Sequence, residues 1–369
     1  MNQHDYTNEQ RIEVVRDYLT HGGFEKTADK YGVSKSSVER WVRKYRHQIE
    51  YGTKEDQKLK GVSTYTPVRD DEGVLLSATW TKVDIEHEDM LAKLRDFADG
   101  IKEDVPRAAI TKEPEGCEED LLNMYVLTDA HIGMRSDEWD LNTAEKVIKG
   151  WINYVAKRTP DSHTGLLCIQ GDMSHWDSMV PVTPAHRHVL DADCNSRTMV
   201  RTVIHLVRYC IKVLLEKHKH VHVMYVVGNH DEFTATVQSE WLDAHYEDEP
   251  RISVDVTNSL YHCYEWGDVS LFTHHGHKRR IGDITKVFAS MFRDVFGRTK
   301  YSYGHIGHYH HVKADEDQLM QIQIHPTLSG KDDYANFGGW ISQRGAKAIV
   351  YHKKYGEVDT ATGRPEMFL

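Results

Sequence analysis

The chain has 369 residues, enough for about two domains and a large core, and its formal net charge of −11 excludes a protein that coats nucleic acid through overall basicity. No run of eighteen apolar residues is present and the opening "MNQHDYTNEQR" lacks an apolar signal core, so neither a membrane span nor secretion is expected. The five cysteines are widely spaced without a CxxC pair, which excludes a disulfide framework or a thiolate zinc site and fits a cytoplasmic protein.

Residues 1–48 read as a small all-α unit. "NEQRIEVVRDYLTHGG" places Ile12, Val15 and Leu19 on one helical face and stops at a double glycine. Two further helices are expected on either side of Gly32, lined by Phe24, Thr27, Ala28 and Tyr31, then by Val38, Trp41, Val42 and Tyr45. Ser34 or Ser36 is expected to cap the second of these, Ser36 with Glu39 as a capping box. "TADKYGVSKSSVERWVRKY" resembles the DNA-binding helix-turn-helix units of transposases and related phage proteins. Lys35, Arg40, Arg43, Lys44 and Arg46 against Glu39 give a local balance of +4 in an acidic chain, the electrostatic footprint of a DNA contact; a protein-interaction bundle is the alternative. In the major-groove docking mode Lys35, Ser36, Ser37 and Arg40 would face bases, and Arg43, Lys44 and Arg46 would meet phosphates.

Residues 49–120 read as a charged connector. Two short strands are expected around the Asp70–Gly73 turn, an amphipathic helix over "HEDMLAKLRDFADGIKED", and a solvated linker at "AITKEPEGCEED". No chemistry is assigned here; a protein partner or self-association is the expected use.

From residue 121 to 369 the pattern changes to an α/β domain. Short apolar runs ("LLNMYVLT", "GLLCIQ", "VHVMYVV", "VSLFTH", "KYSYGHIGHYHH") alternate with the helical stretches "DLNTAEKVIKGWINYVAKR" and "RTMVRTVIHLVRYCIKVLLEKHK". "IQIHP" and "GAKAIVYHKKYGEV" add strands near the end.

Of 25 histidines, 21 follow residue 120, and many cluster where these runs end. In order the ends present Asp129 and His131; Asp172 and His175; Asn229, His230 and Asp231; His274, His275 and His277; and His308, His310 and His311. Loops at the carboxyl ends of strands build one shared site in α/β sheets. Oxygen and imidazole donors without cysteine suit Mn²⁺, Fe or Zn²⁺. Lys278, Arg279 and Arg280 beside the fourth cluster read as a solvated turn, with phosphate contact as the alternative, and His186 and His188 receive no role.

The ordered set D-x-H, G-D, G-N-H-D, H-G-H and G-H-x-H over residues 121–330 resembles the calcineurin-like metallophosphoesterase superfamily. "GDMSH" is most similar to the branch of double-strand-break repair nucleases, and the whole chain to phage-type members with a DNA-binding head. The long Trp176–His220 segment departs from the smallest members. The resemblance implies a four-layer α/β/β/α sandwich and two divalent ions, Mn²⁺ first, with Fe, Zn²⁺ and Mg²⁺ as alternatives. It implies Asp129, His131 and His310 on one ion, Asn229, His275 and His308 on the other, and Asp172 bridging. In this pattern the histidine directly before the glycine is the ligand, hence His275 over His274. His230 would assist the leaving oxygen, Asp231 would orient His230 or support its loop, and His175 would touch phosphate or cap a loop. The implied activity is hydrolysis of DNA phosphodiesters by metal-activated hydroxide, in the host cytoplasm if phage-encoded. The alternatives are a phosphomonoesterase or protein phosphatase, and a DNA-binding factor with a relict metal site.

Overall fold

A computed structural model describes residues 6–51, 63–69, 75–82, 107–183, 189–257, 259–331 and 342–369; at 43, 46–48, 50–51, 63–69 and 75–82 it describes the backbone alone. The expected Asp70–Gly73 turn, the helix over 87–104, and His186 and His188 lie outside the described residues. The chain divides into two compact units, Met1–Asp96 and Phe97–Leu369.

The first unit opens with three helices, α1 (Asn8–His21), α2 (Phe24–Tyr31) and α3 (Lys35–Tyr51). Thr7 and Gln10 form a capping box at the start of α1. Gly32, left-handed at φ 66°, ends α2 and makes the turn that a side-chain-bearing residue would strain. Val14, Val15, Ala28, Val38, Trp41, Val42 and Tyr45 bury one core between the helices. Ser34 caps α3, its Oγ accepting from Ser37 N at 3.3 Å; Ser36 instead lies within the first turn, so the expected Ser36–Glu39 capping box is corrected to a Ser34 cap. A hairpin follows, β1 (Ser63–Arg69) pairing antiparallel with β2 (Leu75–Lys82).

The second unit holds β3 (Glu118–Leu127), α4 (Leu141–Arg158), β4 (Ser162–Ile169), α5 (Ser196–Leu215), β5 (His218–Tyr225), α6 (Glu232–Tyr246), β6 (Ile252–Asp255), β7 (His262–Trp266), β8 (Val269–His274), α7 (Ile281–Met291), α8 (Arg293–Arg298), β9 (Tyr301–Ile306), β10 (Lys313–Glu316), β11 (Gln321–Ile324), β12 (Ala346–His352) and β13 (Gly356–Gly363). Six strands form one sheet in the order β13-β12-β3-β4-β5-β6, and five form another in the order β10-β11-β9-β8-β7.

Side-chain alternation along the strands produces the layers. On β3, Tyr125 and Leu127 face α4 and α5 with Leu167, Ile169, Val221 and Val223. Met124 and Val126, one residue out of phase, pack with Leu166, Cys168 and Met224 against Val269, Leu271 and Tyr303 of the second sheet. Phe272 of β8 turns outward to meet Ile284 and Phe288 of α7. The result is a four-layer α/β/β/α sandwich, the architecture the resemblance implies. Helix starts are marked by Asp140 and Asn195, which accept from Thr143 N (2.8 Å) and Thr198 N (2.9 Å).

Strands β3, β4, β5 and β6 run parallel, as do β8, β9 and β11. Leu127 is level with Ile169, Ile169 with Tyr225, and His274 with Ile306, so five carboxyl ends finish in register. Residues 109–120, expected as a solvated linker, instead enter β3 at Glu118 and are tied down before it. Thr111 donates through N and Oγ1 to Glu249 Oε2, and the buried Arg251 guanidinium donates to Thr111 Oγ1 and Lys112 O. Burying a guanidinium requires partners for its donors; this segment supplies two, and the carbonyls of Leu215, His218 and Lys219 supply the others. Among the described residues, no helix is long and apolar enough to cross a membrane.

Candidate metal centre

The five strand-end loops meet across the two sheets. Asp129 N donates to Gly171 O, His131 N to Asp172 O and Gly307 N to His275 O. Gln170 joins the sheets, its Nε2 donating to His274 O (2.9 Å) and His305 O (2.8 Å). Three groups of described residues have ligand atoms that all lie within 4.8 Å of one another and could hold a metal ion, and two of them are made of the expected ligands: Asp129, His131 and His310; and Asp172, His275 and His308. His310 Nε2 is 3.1 Å from Asp129 Oδ1 and His275 Nε2 is 3.0 Å from Asp172 Oδ2. The groups abut, since His275 Nε2 is also 3.8 Å from Asp129 Oδ1.

Among the described residues, those other than glycine with a left-handed backbone are Asp129 (φ 50°), His131 (44°), Asp172 (51°), His308 (68°) and His310 (52°). All five are expected ligands. This conformation costs on the order of 1–3 kcal/mol per residue and persists where the surroundings enforce it. The surroundings do so here. Thr327 Oγ1 holds Asp129 O at 2.6 Å, His308 N donates to Asp129 Oδ2 at 2.9 Å, and Thr128 Oγ1 also donates to Asp129 Oδ2.

The donors are prepared for a cation. Asn229 Oδ1 is buried without a hydrogen-bond partner, as a neutral oxygen ligand would be before an ion binds. His275 Nδ1 can only donate to the Gln170 carbonyl (2.8 Å), which leaves Nε2 facing the carboxylates. Burial would raise the Asp129 and Asp172 carboxyls, but the facing imidazoles, His310 and His275 on Asp129 and His275 on Asp172, outweigh it and hold both below the usual range. Burial would lower His275, but Asp172 and Asp129 raise it to about 10. The chain thus answers two buried carboxylates with a proton on His275; a divalent ion would displace that proton. Burial and the neighbouring His230 push His131 down, toward the neutral form that ligates. The residues present fit a metal.

His274, the rival of His275, is excluded from both groups. Its Nδ1 accepts from Gly276 N at 2.8 Å, and its ring stacks on Tyr261. His305 is a buried strut between His325 (2.9 Å) and the Tyr351 hydroxyl (3.1 Å). His175, His230 and His131 form a third cluster. His175 Nδ1 is 3.3 Å from His131 Nδ1, and burial drives His175 down to about 3. His230 Nδ1 donates to the His175 carbonyl at 2.9 Å, so Nε2 is turned away from that bond.

Of the two roles expected for Asp231, its hydrogen bonds fit support of the loop and not the orienting of His230. Its carboxylate accepts from the backbone N–H groups of Asp172, Met173, Ser174 and Gly228 at 2.7–3.2 Å, so it supports the loops. Burial and Asp172 raise it to about 7, against donors that favour the ionised form. Sequence reasoning missed Asp177, which takes over at the start of α6. It accepts from Phe233 N (2.6 Å), Thr234 N (2.8 Å) and Thr234 Oγ1 (2.6 Å). Gln170 was also missed; a polar residue closing the apolar run "GLLCIQ" was its signal.

In the first unit Lys35, Ser36, Arg40 and Lys44 are exposed. Lys35 Nζ lies 2.9 Å from Glu25 Oε1. Ser37, expected to face bases, is buried at 1% exposure beside Ser34 Oγ; the first turn of α3 points it inward, next to Val38. The Arg43 and Arg46 side chains lie outside the described residues.

Residues 10–48 match the family model described as a helix-turn-helix domain. No curated protein matches the chain in sequence. Solved structures similar to it include an archaeal phosphodiesterase (12% identity, 65% of this chain, 99% of that one, TM-score 0.32). Others are Vps29 of Entamoeba histolytica complexed with Zn²⁺ (12%, 66%, 99%, 0.29) and a predicted phosphoesterase of Streptococcus pneumoniae (11%, 66%, 97%, 0.30).

Proposed function

We propose that this chain is a two-metal phosphodiesterase acting on DNA. The observation that carries the reading is the left-handed backbone at Asp129, His131, Asp172, His308 and His310, strain held at the residues that would touch ions. Asp129, His131 and His310 would hold one ion, Asn229, His275 and His308 the other, with Asp172 between them. The sulfur-free donor set favours Mn²⁺, with Fe, Zn²⁺ and Mg²⁺ as alternatives. Bound divalent ions supply Lewis-acid charge and bring water deprotonation near neutral pH.

The chain's own groups do the rest. Two aspartates against two divalent ions leave +2, which attracts a phosphate; Asn229 adds a ligand without reducing that surplus. His230, fixed through Nδ1 by the His175 carbonyl, would pass the Nε2 proton of its doubly protonated ring to the leaving oxygen and return to the neutral Nδ1–H form. His175, neutral at neutral pH, shapes the pocket without adding charge. Asp231 keeps the Asp172 and His230 loops in register. The helix-turn-helix unit supports DNA as substrate through its exposed Lys35, Ser36, Arg40 and Lys44, with Arg43 and Arg46 on the same basic helix.

The test is a panel with Mn²⁺: single- and double-stranded DNA, RNA, a cyclic nucleotide and p-nitrophenyl phosphate. DNA is expected to be cleaved with the highest kcat/KM. Preference for the small monoester would replace this reading with a phosphomonoesterase, and no turnover on any member would leave a DNA-binding protein with a metal site.

A further inference from the structure

We propose that Phe233 is the platform on which an unpaired base of the substrate stacks beside the scissile bond. The proposal rests on the phosphodiesterase reading and narrows it to single-stranded or end-frayed nucleic acid.

Phe233 is 72% exposed on the first turn of α6, three residues beyond His230. A solitary exposed apolar side chain is ordinary. This one is set on a backbone that is fixed from the site. Phe233 N donates to Asp177 Oδ2 at 2.6 Å, and Thr234 donates twice to Asp177 Oδ1. Asp177 lies two residues after His175, which reaches the candidate ligand His131 at 3.3 Å. Two residues of chain span at most about 7 Å, so the aromatic is anchored close to the metal groups. Holding the backbone still lowers the entropy lost when a base settles on the ring. One turn along the same helix, Val237 is 39% exposed and extends the apolar strip.

Cations complete the chemistry. Lys278, Arg279 and Arg280 are exposed in the loop that follows His275, and no ion pair ties them among the described residues. Phosphate at the metals, cations for the neighbouring backbone and an aromatic for a base is the combination that tracks single strands. Stacking accepts every base, so the preference would be for unpaired nucleotides and not for a sequence. Paired bases keep their faces inside the duplex.

The experiment uses the full chain with Mn²⁺, as wild type, Phe233→Ala and Phe233→Trp. Each is assayed on a single strand of about six nucleotides and on the same strand made abasic beside the cleaved bond. Phe233→Ala is expected to lower kcat/KM on the base-bearing strand by about 5- to 150-fold, the range for removal of one stack. Phe233→Trp should retain it, and all three should match on the abasic strand. Equal rates for wild type and Phe233→Ala on the base-bearing strand overturn the proposal. So does a shift of oligomeric state in Phe233→Ala with unchanged kinetics, which gives the ring to a second copy. Photo-cross-linking of a 5-iodouracil strand to the wild type decides independently of turnover and of variant folding: attachment at Phe233 is expected, and attachment only elsewhere overturns the proposal. Should the wild type cleave no phosphodiester, the phosphodiesterase reading fails on its own, while the cross-link still reports on Phe233.

Discussion

Gly228→Ala should damage the centre without replacing a ligand. A Cβ at residue 228 would lie 2.0 Å from Asp172 Oδ1 and 2.3 Å from Asp172 N. Ordinary contacts are about 3.5 Å, so Asp172 must retreat by roughly 1 Å. Rotating the carboxylate cannot relieve the clash, because the backbone nitrogen is part of it. That backbone is pinned by Asp172 N to Asp231 Oδ1 (3.2 Å) and by His131 N to Asp172 O (3.0 Å). Overpacking of this kind costs about 1–3 kcal/mol. A displacement near 1 Å in a reacting assembly costs about 10²-fold in turnover. Gly282→Ala is the control: its Cβ meets nothing within 4 Å, and it lies in the first turn of α7, where alanine is favoured by up to about 1 kcal/mol. Thermal unfolding of the metal-stripped proteins should therefore shift in opposite directions, with manganese content and turnover reduced only in Gly228→Ala. If Gly228→Ala unfolds at the wild-type temperature and binds manganese as the wild type does, the packing of Asp172 against the G-N-H-D loop is wrong.

Three further outcomes are expected. His230→Ala should keep its fold and metal content while kcat falls by about 10²–10⁴-fold; loss of metal would make His230 a ligand. Reversing charge at Arg43, Lys44 and Arg46 should flatten the salt dependence of DNA binding, lowering the log–log slope by about 0.9 for each phosphate no longer neutralised, and leave hydrolysis of a small diester unchanged; equal losses on both substrates would contradict this. His218 is fully buried between Ser162 and Tyr125, and burial lowers its pKa to about 3. Its unfolded form takes up a proton below about 6.5, so stability should fall as pH drops from about 6.5 toward 3, by up to about 1.4 kcal/mol per pH unit from this residue. Urea unfolding across that range should show a shallower decline in His218→Gln; an unchanged slope would refute the assignment.

The layers and the ligand loops were readable because their signals are local. β8 is the run "VSLFTH" residue for residue, and each ligand cluster stands where an apolar run stops. The short β6, β7 and β10 escaped, since four or five residues carry little periodicity and β10 is exposed along its whole length. So did α6, whose buried positions include Gln238, Ser239 and His245. Partners distant in sequence were the harder class. Asp231 sits beside His230 in the chain, yet its hydrogen bonds go to a loop 57 to 59 residues earlier and to Gly228. Arg251 holds Thr111 across 140 residues, which is why a stretch composed like a linker is fastened down. Ser37 shows the limit of reading a recognition helix by type: its polarity pointed outward, and its place in the turn put it in the core.

The central claim is a pair of ions sharing Asp172, and a manganese titration of metal-stripped protein tests it most directly. Phosphodiester turnover is followed against bound manganese for the wild type and Asp172→Ala. The account predicts little turnover at one equivalent, a rise as the second fills, and an Asp172→Ala protein that holds less metal and stays inactive. Full turnover at one equivalent, turnover that survives chelation, or two ions retained by Asp172→Ala would contradict it.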